Sequence, residues 1–211
     1  MMLFDHPLYL VTDSLNLTEA EFLVKIEAAL AGGVDLLQLR EKAVTSKQYY
    51  SRAQKVKQLT DQYQVPLIID DRLDIAMAVD AAGVHLGEED LDVTTARKLL
   101  GPTKLIGATT KTVQQAVSAV EQGADYLGVG AIFPTTTHVK TVATSVETLT
   151  AIRHNVNVPV FAIGGLNQHN VAAIKPAQVA GVAVVSAIMK ASEPKKAAAQ
   201  LRQQILSVIK Q

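Results

Sequence analysis

The sequence predicts an α/β fold, a (β/α)8 TIM barrel, because short apolar runs rich in β-branched residues alternate with amphipathic stretches along the whole chain. We identify eight such runs, spaced at roughly 26 residues with no linker rich in Ser, Gly or Pro between them. A doubly wound open sheet is the alternative, since it also alternates strands and helices. The count of eight favours closure into one barrel domain spanning residues 1–211.

The predicted strands are Leu8–Thr12, Val34–Arg40, Pro66–Asp70, Gly83–Leu86, Lys104–Ala108, Tyr126–Val129, Pro159–Ile163 and Gly181–Val185. The helices between them carry start and stop signals. Thr18 and Glu21 have the spacing of a capping box, and Gly32-Gly33 predicts the end of the same helix.

A later helix repeats the capping-box spacing with Thr112 and Gln115. One face of that helix is apolar at helical spacing, formed by Val113, Ala116, Val117 and Val120. A final helix is predicted after Ser192-Glu193-Pro194. The one long connection, residues 130–144 after the sixth strand, is rich in hydroxyl groups, and we expect it to act as a lid.

Composition narrows the classes of function. With 48% hydrophobic residues and a mean hydropathy of +0.18, the chain can bury one large core. Twenty basic residues balance twenty acidic ones with no basic stripe, so we expect a small-molecule ligand and neither a nucleic-acid nor a membrane partner. The absence of cysteine excludes disulfides and thiolate sites, and the start of the sequence lacks signal-peptide features, so we expect a cytoplasmic protein.

The end of the second strand predicts an anion site. Gln38, Arg40 and Lys42 are two residues apart, so in an extended chain they project from one face while Leu37 and Leu39 point the other way. Charged groups beside an apolar core are costly unless they meet a partner. An anionic ligand would supply that partner.

Acidic residues follow the next two strands. Asp70-Asp71 comes directly after Leu67-Ile68-Ile69, and Asp90 follows the fourth strand. Because the carboxyl ends of barrel strands converge, two of these carboxylates could hold Mg²⁺ together with a substrate phosphate. The alternative is a helix cap at Asp70 or Asp71 and solvated acids at Glu88-Glu89-Asp90.

Two further segments lie where barrels often bind phosphate. Gly164-Gly165 follows the seventh strand and Ser186 follows the eighth, although a lone Gly-Gly pair is often only a turn. His85 falls within the fourth strand, and we expect an interior histidine with satisfied hydrogen bonds there rather than a catalytic base.

Taken together, these motifs resemble the thiamine-phosphate synthase family, also called thiamine-phosphate pyrophosphorylase, from Leu8 to about Ala191. The combination is highly specific. The matching segments are Gln38–Lys42, Ile69–Arg72, Val84–Asp90, Gly128–Thr137 and Ala162–Gly165.

The resemblance implies a transferase that joins 4-amino-2-methyl-5-hydroxymethylpyrimidine diphosphate to 4-methyl-5-(2-phosphoethyl)thiazole, yielding thiamine phosphate and pyrophosphate. It implies that Mg²⁺ is the cofactor, held by Asp71 and Asp90. The implied catalytic residues are Arg40, Lys42, Thr109 and His138. The implied substrate-binding residues are Gln38, Leu39, Arg40, Glu41, Lys42, Asp70, Thr109, Thr135, Thr136, Thr137, His138, Gly165, Val185 and Ser186.

The chain departs from the family pattern at three positions. Asp70 stands where asparagine is common, Thr109 where serine is frequent, and His138 where many members have lysine, with Lys140 two residues on. A lysine would be a fixed positive charge toward pyrophosphate, whereas histidine is only partly protonated near neutral pH. Our hypothesis is that His138 or Lys140 supplies this contact.

Two other functions stay open at this point. One is the related thiazole tautomerase, a barrel with no metal and no diphosphate substrate, which the presence of Asp71, Asp90, Arg40 and Lys42 disfavours. The other is a non-catalytic thiazole-phosphate-binding protein. The sequence leaves the oligomeric state open, so a homo-oligomer is compatible with it.

Overall fold

The protein folds as a closed barrel of eight parallel strands in sequential order, with helices outside it. The computed structural model describes residues 7–135 and 143–209. The strands are β1 (Leu8–Val11), β2 (Leu36–Leu39), β3 (Leu67–Asp70), β4 (Gly83–Leu86), β5 (Leu105–Thr110), β6 (Tyr126–Val129), β7 (Val160–Ile163) and β8 (Gly181–Val184). The predicted (β/α)8 barrel is confirmed, and the open sheet is excluded because β1 pairs with β8.

The helices are α1 (Glu19–Ala31), α2 (Ser46–Gln62), α3 (Leu73–Ala78), α4 (Val93–Leu100), α5 (Val113–Glu121), α6 (Val146–Asn155), α7 (Ser186–Met189) and α8 (Pro194–Ile209). Between β7 and β8 the chain forms a 3₁₀ helix, Val171–Ala177, which contains Pro176. No helix among the described residues combines the length and apolar character needed to cross a membrane.

The predicted helix signals are confirmed in α1 and in part in α5. Thr18 and Glu21 form a complete capping box. Thr112 caps α5 by accepting a hydrogen bond from the Gln115 backbone, but the Gln115 side chain accepts from the Lys111 N–H instead of the cap residue. The second half of the predicted capping box is therefore wrong.

Two apolar layers hold the barrel together. Outward-facing strand residues such as Leu37 and Leu39 pack with the helices in the larger layer. A smaller cluster fills the barrel interior and contains Tyr9, Tyr126 and Phe161. This rigid double layer fixes the carboxyl ends of the strands, where active sites of this fold lie.

Candidate active site

A cavity of about 700 Å³ opens at the carboxyl ends of the strands. Its wall includes many of the residues predicted from sequence to form the site. These are Gln38, Arg40, Lys42, Asp70, Asp90, Thr109, Thr135, Gly165, Val185 and Ser186. The structure thus brings together side chains from segments that are far apart in the chain.

The second strand contributes through alternate residues, as its pattern predicted. Gln38 lies in the cavity wall, followed by Arg40 and Lys42 beyond the end of β2. Leu39 points into the outer apolar layer, and its carbonyl accepts a hydrogen bond from the Tyr49 hydroxyl at 2.8 Å. The structure does not place the Leu39 side chain in the cavity wall.

Glu41 also lies away from the cavity wall. Its carboxylate is buried and accepts hydrogen bonds from Arg52 and from the Ser14 hydroxyl, each at 2.8 Å. These contacts tie the end of β2 to α2 and to the loop after β1. In this structure Glu41 supports the strand end that carries Arg40 and Lys42.

A compact cluster of opposite charges lies at the cavity mouth. The Lys42 ammonium contacts Asp70 at 2.8 Å and also pairs with Asp71, while Arg40 Nε is 3.9 Å from Asp70. Burial alone lowers the pKa of Lys42, but its bonds to the two carboxylates outweigh this effect and raise the pKa overall. Lys42 is therefore a full positive charge at neutral pH.

Of the two carboxylates predicted to hold a metal, Asp90 lies in the cavity wall, whereas Asp71 is not among the lining residues and is paired with Lys42 at the mouth. Burial raises the pKa of Asp71, as do the negative charges of Asp70 and Asp90, against the opposing effect of Lys42. Hydrogen bonds within the described residues engage Oδ2 of Asp71 and Oδ2 of Asp90, the latter with the Gly87 N–H at 2.6 Å. Neither Asp70 nor Asp71 caps α3, whose cap residue Arg72 makes no side-chain capping bond.

The carboxylates of Asp71 and Asp90 fit Mg²⁺ only as part of its set of ligands. The described residues contain no group of three or more His, Cys, Asp or Glu side chains arranged to hold a metal ion. Mg²⁺ commonly uses one or two carboxylates and takes its remaining oxygens from water and substrate phosphates. Two carboxylates such as Asp71 and Asp90 would meet that requirement only together with a phosphorylated substrate.

The opposite wall is shaped by glycines after β7. Gly164 and Gly165 have positive φ angles of 98° and 63°. A Cβ atom on Gly165 would lie 2.6 Å from the Pro134 carbonyl oxygen and 2.8 Å from Phe133 Cβ. Only glycine lets this turn approach the loop after β6 so closely.

The remaining predicted residues divide between the described and undescribed parts of the chain. Val185 and Ser186 lie in the cavity wall where β8 passes into α7, and Thr135 lies in the wall at the start of the connection after β6. Thr136, Thr137 and His138, with Lys140 and the central part of the predicted lid, lie outside the described residues.

Sequence reasoning missed the polar interior beneath the cavity. Tyr9 lines its floor, and the Tyr9 hydroxyl lies 2.9 Å from that of the buried Tyr126, although 117 residues separate them in the sequence. His85 is interior, as predicted, but it also reaches the cavity wall. Burial lowers the pKa of His85 to about 4, so the ring is neutral at pH 7.

Two glycines in the sequence could have indicated this polar interior. A Cβ atom on Gly107 would overlap the Tyr126 ring and His85 Nδ1, and one on Gly128 would lie 3.1 Å from His85 Cε1. Glycine inside a strand often marks a place where another group approaches closely. Because of these glycines, β5 and β6 leave room for the rings of Tyr126 and His85.

Comparison with known proteins gives a consistent family. A family model described as thiamine monophosphate synthase matches residues 8–188. The chain is 51% identical to the thiamine-phosphate synthase of Lacticaseibacillus paracasei over 205 residues, covering 97% of this chain and 96% of that one. It is 52% identical to the thiamine-phosphate synthase of Enterococcus faecalis, covering 88% and 87% of the two chains.

A solved structure agrees with the sequence comparisons. The thiamine phosphate pyrophosphorylase from Pyrococcus furiosus superposes with a TM-score of 0.89 at 36% identity, covering 98% of each chain. The family match spans most of the chain, and it includes the strand-end residues that line the cavity. The chain belongs to the thiamine monophosphate synthase family.

Proposed function

We propose that this protein is a Mg²⁺-dependent thiamine-phosphate synthase. It would transfer the pyrimidinylmethyl group of the pyrimidine diphosphate to the thiazole phosphate and release pyrophosphate. The observation that carries this proposal is the charge cluster at the cavity mouth, where Arg40 and Lys42 meet Asp70 and Asp71. The L. paracasei relative is named for the same activity.

The basic residues suit a departing diphosphate. In the free protein Lys42 is held by two carboxylates, and Arg40 lies near one of them. A diphosphate entering the cavity gives both cations an anionic partner. As the bond between the methylene carbon and the diphosphate oxygen breaks, these fixed charges stabilise the negative charge growing on that oxygen.

Asp71 and Asp90 would hold the magnesium ion beside the diphosphate. When bound, Mg²⁺ supplies further positive charge against the leaving group. Asp70 keeps Lys42 and Arg40 close to that position through its own ion pairs. Thr109 lies in the cavity wall on β5, next to β4, and its hydroxyl is hydrogen-bonded to His85 Nε2 at 2.9 Å.

The second substrate would occupy the side of the cavity near β7 and β8. We propose that Thr135, Thr136 and Thr137 contact the thiazole phosphate, with Gly165, Val185 and Ser186 forming the wall behind it. The thiazole nitrogen attacks the methylene carbon with its lone pair, so the step requires orientation of two substrates and no strong general base. The neutral state of His85 is compatible with this chemistry.

The test is a turnover assay with both phosphorylated substrates, with and without Mg²⁺. We expect thiamine phosphate and pyrophosphate in equal amounts, and only in the presence of the metal. Isomerisation of the thiazole without pyrophosphate release would instead identify a tautomerase. Binding of thiazole phosphate without any product would identify a non-catalytic binding protein.

A further inference from the structure

A continuous hydrogen-bond network crosses the barrel interior below the cavity. We call it the interior network, and it consists of Gln38, Tyr9, Tyr126, His85 and Thr109. The successive distances are 2.7 Å from Gln38 Nε2 to the Tyr9 hydroxyl, 2.9 Å between the two tyrosine hydroxyls, 3.2 Å to His85 Nδ1, and 2.9 Å from His85 Nε2 to Thr109 Oγ1. Its two ends are residues of the proposed substrate site.

The direction of the network follows from counting protons. The Gln38 amide donates to Tyr9, so the Tyr9 oxygen is an acceptor there. If Tyr126 also donated to Tyr9, the Tyr9 proton would have no acceptor among the described residues. Because a buried unpaired hydroxyl is unfavourable, Tyr9 donates to Tyr126.

Counting protons also fixes the direction of the remaining hydrogen bonds in the network. Tyr126 has one proton, which it donates to His85 Nδ1. A neutral histidine carries a single N–H, so that proton lies on Nε2 and is donated to Thr109 Oγ1. The Thr109 oxygen accepts this bond, and because Thr109 lies in the cavity wall, its own proton can be donated to a ligand bound there.

The protein is built around this arrangement. Phe161 packs edge-on against the rings of Tyr9 and Tyr126, with ring centres 5.5 and 5.7 Å away. Gly107 and Gly128 provide the space that the Tyr126 and His85 rings occupy. Tyr9 and Tyr126 are almost completely buried, so water cannot easily reverse their hydrogen bonds.

We propose that the interior network makes Thr109 a dedicated hydrogen-bond donor to the substrate, with His85 and Tyr126 as positioning residues. The ligand atom that Thr109 meets is an acceptor without a proton, either an unprotonated ring nitrogen or a diphosphate oxygen. The catalytic part of this proposal rests on the proposed synthase function. The direction of the hydrogen bonds in the network does not depend on that function, and a separate experiment tests it.

Nitrogen NMR of the histidine rings in the ligand-free protein at pH 7 tests the direction. We expect the His85 proton on Nε2, and a shift toward Nδ1 in Tyr126→Phe, which removes the donor to Nδ1. Tyr49→Phe is the matched control, because it removes another buried tyrosine hydroxyl whose acceptors are backbone carbonyls outside the network. A proton on Nδ1 in the wild-type protein would mean that the network runs the other way and would overturn the proposal.

A double-mutant cycle tests the link to Thr109. We expect Tyr126→Phe and Thr109→Val each to lower kcat/KM for the pyrimidine diphosphate by about tenfold, and the double variant to lose no more than Thr109→Val alone. Thr109→Ser, which keeps the hydroxyl, should retain most of the wild-type kcat/KM. If the two losses multiply, Tyr126 acts independently of Thr109 and the proposal is wrong. A wild-type protein that forms no product would contradict the proposed function while leaving the NMR result valid.

Discussion

At the scale of single residues, the backbone of Asp71 explains how a carboxylate is aimed at the cavity mouth. Its φ angle is 54°, in the left-handed region that non-glycine residues rarely adopt, although Asp and Asn tolerate it best. The backbone N–H of Asp71 donates to the His85 carbonyl at 2.9 Å, which ties β3 to β4 at this point. A single substitution at this position can therefore remove the charge while keeping the backbone conformation.

We predict that Asp71→Asn preserves the fold but raises the Mg²⁺ concentration needed for half-maximal activity by at least about tenfold, since one charged ligand is lost. Asparagine accepts the same backbone conformation, so the melting temperature should change little. Pyrophosphate release measured across a Mg²⁺ titration checks this. Asp74→Asn, at an exposed carboxylate paired with Arg72, is the control. An unchanged metal requirement in Asp71→Asn would contradict the metal assignment.

His85 predicts a defined pH dependence of stability. Its pKa is about 4 in the folded protein against an ordinary value of 6.5, because burial disfavours the charged ring. Below pH 6.5 the unfolded chain binds a proton that the folded protein does not, so this contribution is complete above pH 6.5 and is lost as the pH falls toward 4. The shift corresponds to a loss on the order of 3 kcal/mol.

Urea unfolding of the wild type and His85→Gln between pH 7 and pH 4 measures this effect. The wild type should lose stability more steeply than the variant as the pH falls, because glutamine does not titrate. The exposed residues His154 and His169 are present in both proteins and cancel in the comparison. If the unfolding free energies of the two proteins fall in parallel as the pH is lowered, His85 is not the titrating group.

At the scale of elements, the sequence predicted every strand but not how the strand interiors are connected. The apolar runs are visible locally, and alternation placed Gln38, Arg40 and Lys42 on one side of the chain. The fifth strand was cut short at Ala108, whereas the structure extends it to Thr110, because two threonines continue the pairing with β6. The Tyr9–Tyr126 contact depends on barrel closure, which no local pattern encodes.

The turn after β7 gives a prediction about the loop that it supports. Gly165→Ala should destabilise the protein by about 1–3 kcal/mol and also raise KM for the thiazole phosphate, because the new methyl group collides with Phe133 and Pro134. Gly101→Ala is the matched control. Gly101 also has a positive φ angle, 72°, but a Cβ there would meet nothing within 4 Å.

Thermal or urea unfolding and substrate kinetics of both variants separate strain from collision. Both variants should lose stability, and only Gly165→Ala should lose affinity for the thiazole phosphate. An equal KM in the two variants would mean that the turn after β7 does not shape the phosphate site.

The connection after β6 contains His138 and Lys140, whose role stays a hypothesis from the sequence. We predict that replacing both His138 and Lys140 by alanine weakens binding of the pyrimidine diphosphate, since we expect one of them to supply a positive charge to the diphosphate. Each single variant shows which residue is responsible. Unchanged affinity in the double variant would refute the hypothesis and leave Arg40 and Lys42 as the diphosphate contacts.

At the scale of the whole molecule, the barrel separates stability from function. The outer layer between strands and helices is apolar, while the interior changes from apolar packing to the polar network and then to the charged mouth. Strands held on both sides by packing can position charges that would otherwise repel or be solvated. A ligand that neutralises the mouth should therefore stabilise the entire fold.

This expectation gives a prediction for the free protein, with no turnover required. Inorganic pyrophosphate and Mg²⁺ together, at about 100 times the dissociation constant, should stabilise the fold by about 2.7 kcal/mol and raise the melting temperature by roughly 5–10 °C. Either component alone should give a much smaller shift, because the described residues offer no protein-only metal site and pyrophosphate oxygens must complete the coordination. Thermal unfolding with each component alone and with both measures this, and Asp71→Asn should reduce the excess of the combined shift over the separate ones by about half or more. Equal and additive shifts in the wild type would show that metal and pyrophosphate bind independently, and the shared site formed by Asp71, Asp90 and Lys42 would then be wrong.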